Sequence, residues 1–303
     1  MEININNVHH FSHARTALKY GLLHLKIEKG SSLLIPEYIC DSVIQPIENL
    51  GLRYKYYPIL DNLEPDWEKL EKSIDADDIA ILMVHYFGQP QNIEKFRNLC
   101  EKNEIYLLED NAHGYGGIYK NNYLGRFGDI GFSSPRKNLE LDYGGVLFTK
   151  NKISIPIKLS KPPILSRMKK IVKKYFKSLV KYFHKKNKKN DIYEIKSVKE
   201  MLMDDKSFKV LNSINLVEVQ KNRLDSYLKW KDFALKNNLE PVFKNIHNKA
   251  NPWAFPAYAS DLEEREKWIR WGKNNNVEIF SFSHIEGAKI ENKVKVGPYA
   301  RLR

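Results

Sequence analysis

Three short polar clusters in this chain combine side chains able to do chemistry. Glu109-Asp110-Asn111-Ala112-His113 follows the apolar run IYLL, Ser133-Ser134-Pro135-Arg136-Lys137 follows GDIGF, and His13-Ala14-Arg15-Thr16 opens a helical stretch. A carboxylate can hold a heterocyclic nitrogen protonated, a lysine amine can condense with an aldehyde, and helix N–H groups with Ser/Thr hydroxyls can cradle a phosphate. Brought together, these groups suit an anionic, nitrogen-heterocyclic cofactor. Each also has an ordinary structural role open to it. Asp110 could cap a helix, Lys137 could be solvated, and His113 could be a satisfied core histidine. Ser134 and Thr16 could be turn and N-cap hydroxyls, and Arg15 could pair within the protein.

The elements that must position these clusters are legible over the first 150 residues. Residues 32–35, 53–58, 79–84, 105–109, 129–132 and 146–149 read as strands, several of them continuously apolar as in a parallel sheet covered on both faces. Residues 14–25, 40–50, 65–73 and 92–103 read as helices between them. Strand–helix alternation with short connections predicts an open α/β sheet that binds ligands beyond the carboxyl ends of its strands. In such a sheet the three clusters converge on one edge. Further on, helical signals run from 210 to 236, and 251–260, 262–273 and 277–282 form a strand–helix–strand unit, which predicts a smaller second domain.

Fifty Lys+Arg against 37 Asp+Glu leave a net charge of +13 on 303 residues, but the excess is local. Residues 161–189 hold twelve bases and no acid, so the other 274 residues hold 38 bases and 37 acids. That pattern excludes a basic surface spread for nucleic acid. Within the segment, Ile164, Met168, Ile171, Tyr175, Leu179 and Phe183 recur at helical spacing among the lysines. The resulting amphipathic helix has three readings: packing on the large domain with its lysines solvated, attachment to an anionic membrane surface, or nucleic-acid binding, which no recognised binding fold accompanies. Two cysteines, Cys40 and Cys100, exclude a disulfide scaffold and a four-thiolate zinc site, and no metal site is expected. With no apolar leader and no run approaching 18 apolar residues, the chain reads as cytoplasmic, with the basic segment a means of lying at the inner membrane face.

At the three clusters the sequence resembles the DegT/DnrJ/StrS-type family of pyridoxal-phosphate sugar aminotransferases. The motifs are VHYFGQP (84–90), LLEDNAHGYGG (107–117), LGRFGDIGF (124–132) and SPRKNLELDYGG (134–145), preceded by HARTALKYGL (13–22) and LLIPEYIC (33–40). The resemblance is strong over residues 8–150 and weaker over 210–282. It implies a fold-type-I α/β architecture, a seven-stranded mostly parallel sheet between helices with a reduced small C-terminal α/β domain. By position it makes Lys137 the catalytic Schiff-base lysine, Asp110 the partner of the pyridine nitrogen, and His113 a neighbour of the cofactor's 3-hydroxyl. Ser134 with Ala14, Arg15 and Thr16 would hold the phosphate. It further implies a nucleotide-linked keto-sugar as substrate, destined for surface polysaccharide, with glutamate as amino donor and a homodimer as the assembly. The family's sugar dehydratases also carry histidine at the position of His113 but replace the lysine, so Lys137 favours transamination; dehydration and a non-catalytic membrane-associated scaffold are the alternatives.

Four regions follow from these readings: a cofactor-binding large domain over 1–160, a basic helical insertion over 161–190, a small domain over 191–282 and an atypical tail over 283–303. The tail resembles the hexapeptide β-helix start of N-acetylglucosamine-1-phosphate uridyltransferases, with Ile290, Val296 and Leu302 six residues apart. It supplies about one coil, too little to stack as a β-helix by itself.

Overall fold

The computed structural model describes residues 7–153, 159–162, 200–281 and 299–301. Its centre is a sheet of seven strands: β1 (Asn7–Phe11), β2 (Ser32–Pro36), β3 (Arg53–Tyr57), β4 (Asp78–Val84), β5 (Tyr106–Asn111), β8 (Ile130–Ser133) and β9 (Gly145–Thr149). The two short strands β6 (Ile118–Tyr119) and β7 (Asn122–Tyr123) pair in a separate hairpin. In space the order is β1-β9-β8-β5-β4-β2-β3. Every neighbouring pair from β8 to β3 is parallel, and β9 is antiparallel to both β8 and β1. β1 therefore runs with β8, so the ends of β1, β5 and β8 lie on the same edge.

The apolar strands explain the layering. Alternate residues of a strand point to opposite faces, and on β4 Ala80, Leu82 and Val84 enter one core while Ile81 and Met83 enter another. Leu33 and Ile35 against Leu34, and Leu108 against Leu107, divide in the same way. On the first face lie α1 (Ala14–His24), through Ala17, Leu18 and Leu22, and α2 (Ile44–Asn49), through Ile44 and Ile47. On the second lie α3 (Trp67–Ser73), through Leu70, and α4 (Ile93–Asn103), through Ile93, Phe96 and Leu99. Asp66 and Asn92 cap α3 and α4 by accepting from Lys69 N–H and Lys95 N–H. The stretch expected as one helix over 40–50 is divided, with a 3-10 turn at Asp41–Val43 preceding α2. β1 was not expected at all; its sequence NVHHF places histidines where a strand pattern calls for apolar residues.

The one-turn α5 (Pro135–Asn138) follows β8, and beyond the large sheet come α6 (Asp205–Ser213), α7 (Leu216–Lys236) and α8 (Leu262–Asn274). The single helix expected over 210–236 is interrupted because Asn215 takes an extended conformation and caps α7, accepting from Val217 and Glu218 N–H. A four-stranded sheet of order β10-β11-β13-β12 joins β10 (Glu240–Pro241), β11 (Ala254–Tyr258), β12 (Ile279–Phe280) and β13 (Tyr299–Arg301). Tyr227, Ala234, Phe255, Ala257 and Trp268 form the core between this sheet and helices α7 and α8. Of the tail, β13 lies between β11 and β12, antiparallel to both; the hexapeptide pattern otherwise lies outside the described residues. So does the basic helix expected over 161–189, apart from residues 161–162. Past it, Met201 O accepts from Ser12 N–H and Leu202 bridges to Phe11, which lays this segment along β1. Among the described residues no helix is long and apolar enough to cross a membrane.

Candidate active site

Each chemistry-bearing cluster begins where a strand of the large sheet ends. β5 delivers Asp110 and then the turn to His113, and β8 delivers Ser134 and the short α5, whose Pro135 sits at the first helical position. β1 leads through Ser12 to His13, an extended residue at the start of α1. Gly145, at the start of β9, allows the close approach of this last turn. A Cβ there would stand 2.2 Å from the His13 carbonyl carbon. Six of the seven residues singled out from sequence, Ala14, Arg15, Asp110, His113, Ser134 and Lys137, line one pocket, together with His13, Cys40 and Tyr86. Thr16 is buried and is not among the lining residues; its N–H donates to the His13 carbonyl. Arg15 Nη1 donates to Gln45 Oε1 at 3.3 Å.

Of the charged pair at the centre, Asp110 is buried and Lys137 half-buried, and loss of water dominates the titration of both. Removal from water pulls the Lys137 ammonium down to about 8, opposed by the carboxylate of Asp110 and by Cys40. Removal from water likewise pushes Asp110 up to about 6, opposed by the Ala112 N–H that it accepts at 2.8 Å and by the Lys137 charge. The Lys137 nitrogen lies 4.7 Å from the centroid of the Trp253 ring. That ring also lies against His113, centroid to centroid 4.6 Å. Phe87 stands against the other two at 5.6 Å from His113 and 6.2 Å from Trp253.

His113 accepts from the Phe87 N–H at Nδ1, 3.1 Å, so in the neutral ring the proton sits on Nε2. Burial, aided by the Lys137 charge, holds it well below the ordinary histidine range. Phe87 reaches this position with φ 54, a left-handed conformation unusual for an aromatic residue. His85 has a structural place. Its Nδ1 accepts from Gln91 N–H, and its Nε2 is 2.8 Å from Glu109 Oε1, both side chains fully buried. Glu109 also accepts from the N–H groups of Gly125, Phe127 and Gly128. The carboxylate next to Asp110 thus fastens the GRFGD loop to β5, which gives a physical reason for the two motifs to occur together.

Sequence reasoning did not single out Trp253, Phe87, Asn138 or Asn251. Asn138 Nδ2 donates to the carbonyls of His113 and Asn251, at 3.2 and 3.0 Å, and so ties the lysine turn to the 111–117 turn and to the segment carrying Trp253. The available signal was the aromatic in NPWAF, with no spacing to link it to Lys137.

Residues 5–157 match the profile of the DegT/DnrJ/EryC1/StrS aminotransferase family. The chain is similar to GDP-perosamine synthase of Escherichia coli O157:H7, 29% identical over 148 residues, which is 46% of this chain and 40% of that protein. It is also similar to GDP-4-keto-6-deoxy-D-mannose 3-dehydratase of Escherichia coli O55:H7, 32% identical over 111 residues, covering 36% of this chain and 29% of that one. The matched part thus spans less than half the length of either relative. Among solved structures, a putative sugar aminotransferase, Spr1654, from Streptococcus pneumoniae superimposes with a TM-score of 0.73 at 16% identity, covering 99% of this chain and 83% of the other. A DegT DnrJ EryC1 StrS aminotransferase from Brucella abortus gives 0.70 at 17%, covering 99% and 81%. At such identities the superpositions establish the fold, that of the fold-type-I aminotransferases. With the profile covering half of the chain, this protein belongs to the DegT/DnrJ/EryC1/StrS aminotransferase family.

Proposed function

We propose that this protein is a pyridoxal-phosphate-dependent aminotransferase acting on a nucleotide-linked keto-sugar. The observation that carries the reading is the convergence of a half-buried Lys137 with the buried Asp110 and His113 at one pocket on the carboxyl edge of the sheet. The donor set fits the cofactor. Lys137 has the primary amine to bond its aldehyde carbon, and Asp110 is the lining carboxylate suited to its ring nitrogen. His113 offers a flat neutral ring beside it, and Ser134, Ala14 and Arg15 lie where a phosphate would meet hydroxyl, backbone N–H and cation. When bound, pyridoxal phosphate supplies an electron sink for the charge that develops on the carbon bearing the amine.

The chain's own groups would do the rest. A lysine pulled down to about 8 is partly unprotonated near neutrality, so it can act as nucleophile and then, once released, take a proton from one carbon and return it to another. Asp110, held in a dry site, would keep a proton at the heterocycle's nitrogen, and the neutral His113 can donate from Nε2 without adding charge. A nucleotide-sugar substrate is supported by the likeness to GDP-perosamine synthase and GDP-4-keto-6-deoxy-D-mannose 3-dehydratase, both GDP-sugar enzymes. Lys137 favours transamination over dehydration. Glutamate as donor, a homodimeric assembly, a place in lipopolysaccharide synthesis and a cytoplasmic location at the inner membrane face, reached through residues 161–189, complete the proposal. The test is titration with pyridoxal phosphate. The parent should develop the visible absorbance of lysine-bound cofactor and transfer an amine to a nucleotide-linked keto-sugar, and Lys137→Ala should do neither. A parent that binds no cofactor would favour the scaffold reading.

A further inference from the structure

Lys137 is held at both ends, and one side chain reaches both supports. Arg223 lies in the middle of α7 and is buried. Its Nε, at 3.1 Å, and its Nη2 both donate to the carbonyl of Asn138, the residue directly after Lys137. That carbonyl stands at the open carboxyl end of α5, where carbonyls lack partners within the helix. Arg223 Nη1 donates to the carbonyl of Pro252 at 3.1 Å and lies 3.4 Å from that of Trp253. The indole next in the chain is the surface against which the Lys137 nitrogen rests. One planar cation thus grips the peptide just beyond the lysine and the peptide that carries the platform under its tip. Arg223 is not among the residues lining the pocket, so its effect on the site passes through the backbone it holds.

We propose that Arg223 is a positioning residue which sets Lys137 against Trp253 by clamping residues 138 and 252 to one another; the proposal rests on the reading of Lys137 as the cofactor-binding lysine. The geometry needs a fork. A guanidinium presents several N–H donors in one rigid plane and can serve two carbonyls on one side and a third on the other. An ammonium at the end of a flexible stem is a single point of charge and cannot hold both peptides in register. Keeping the charge while losing the fork should therefore release Lys137 from the indole toward water.

The experiment reads Lys137 directly, in cofactor-free protein. Pulses of acetic anhydride across a pH series, followed by peptide mass spectrometry, give the titration of this one amine. In the parent it should centre at about 8. In Arg223→Lys it should move up toward the ordinary lysine range, and each unit of that rise lowers acetylation at neutral pH about tenfold. Arg223→Met should move it in the same direction, and if that variant does not fold, Arg223→Lys decides. Trp268→Ala, in the core between α8 and the small sheet, serves as a destabilised control that should melt earlier with an unmoved Lys137 titration. The proposal is overturned if Arg223→Lys keeps the parent titration, or if Trp268→Ala shifts it as far. Borohydride reduction of the parent with pyridoxal phosphate tests the functional reading separately. No reduced lysine adduct would refute that reading and leave the clamp standing, whereas an adduct with an unmoved titration in Arg223→Lys would remove the clamp alone.

Discussion

Residues 7–153 and residues 200–281 bring distant groups together by different means. The first region does so by repetition. Strand and helix alternate, strands β2, β3, β4, β5 and β8 run alike, and any residue at a carboxyl end reaches the same edge. The second region has no such rule. Its strands are short and antiparallel, and it reaches the lysine turn through contacts made across the molecule, among them Arg223 on the Asn138 carbonyl 85 residues earlier and Trp253 beneath Lys137. The contrast separates two kinds of functional residue. The groups proposed to react sit at ends of regular elements, while those proposed to position them arrive from wherever the packing permits.

The largest effect that would sharpen this contrast is expected at a reacting group. Asp110→Asn keeps the shape of the side chain and removes the charge, and should lower turnover about a hundredfold or more. Because the Asp110 carboxylate holds the Lys137 ammonium up, the same change should also move the Lys137 titration below about 8. A variant with near-parental turnover would show that the edge does not carry the chemistry. Next come core truncations in the two regions. Phe96→Ala, at a fully buried position beneath the large sheet, should cost about 4 kcal/mol. Trp268→Ala should cost somewhat less, since the residue is 9% exposed, and calorimetry of both tests whether the regions melt as one unit. Equal losses in a single transition would weaken the distinction drawn between them. Smallest is Asn215→Ala, which removes the cap of α7 at a cost of about 1 kcal/mol. It should shift the melting temperature while leaving the lysine titration in place.

The same contrast explains what was legible in the sequence. Six strands and three of the four helices of the first region could be placed within a residue or two, because continuous apolar runs mark strands buried on both faces. β1 escaped notice because its two histidines break that pattern, and the antiparallel direction of β9 is a matter of pairing that composition does not record. The residues proposed to react could be picked out because Asp110 lies at the end of one apolar strand and Lys137 in the turn after another. Thr16 belongs to the right turn, but the turn of α1 buries it away from the pocket lining. The contacts of Trp253 and Arg223 with the lysine turn were out of reach. Arg223 stands on a helix crowded with lysines and acids, and its burial follows from where α7 packs. Asn215, a residue that caps helices, was in view inside the expected helix, and its propensity was outweighed by the apolar period running across it.

The account turns on Lys137, and one measurement addresses it most directly. Protein mixed with pyridoxal phosphate at a series of pH values, reduced with borohydride and digested, should carry the reduced cofactor on the peptide containing Lys137. The early rate of that labelling should rise as pH increases through about 8, because burial lowers the lysine's affinity for its proton and the unprotonated amine is the form that reacts. Labelling spread over surface lysines, or a Lys137 that reacts only near the ordinary lysine range, would contradict the site described above.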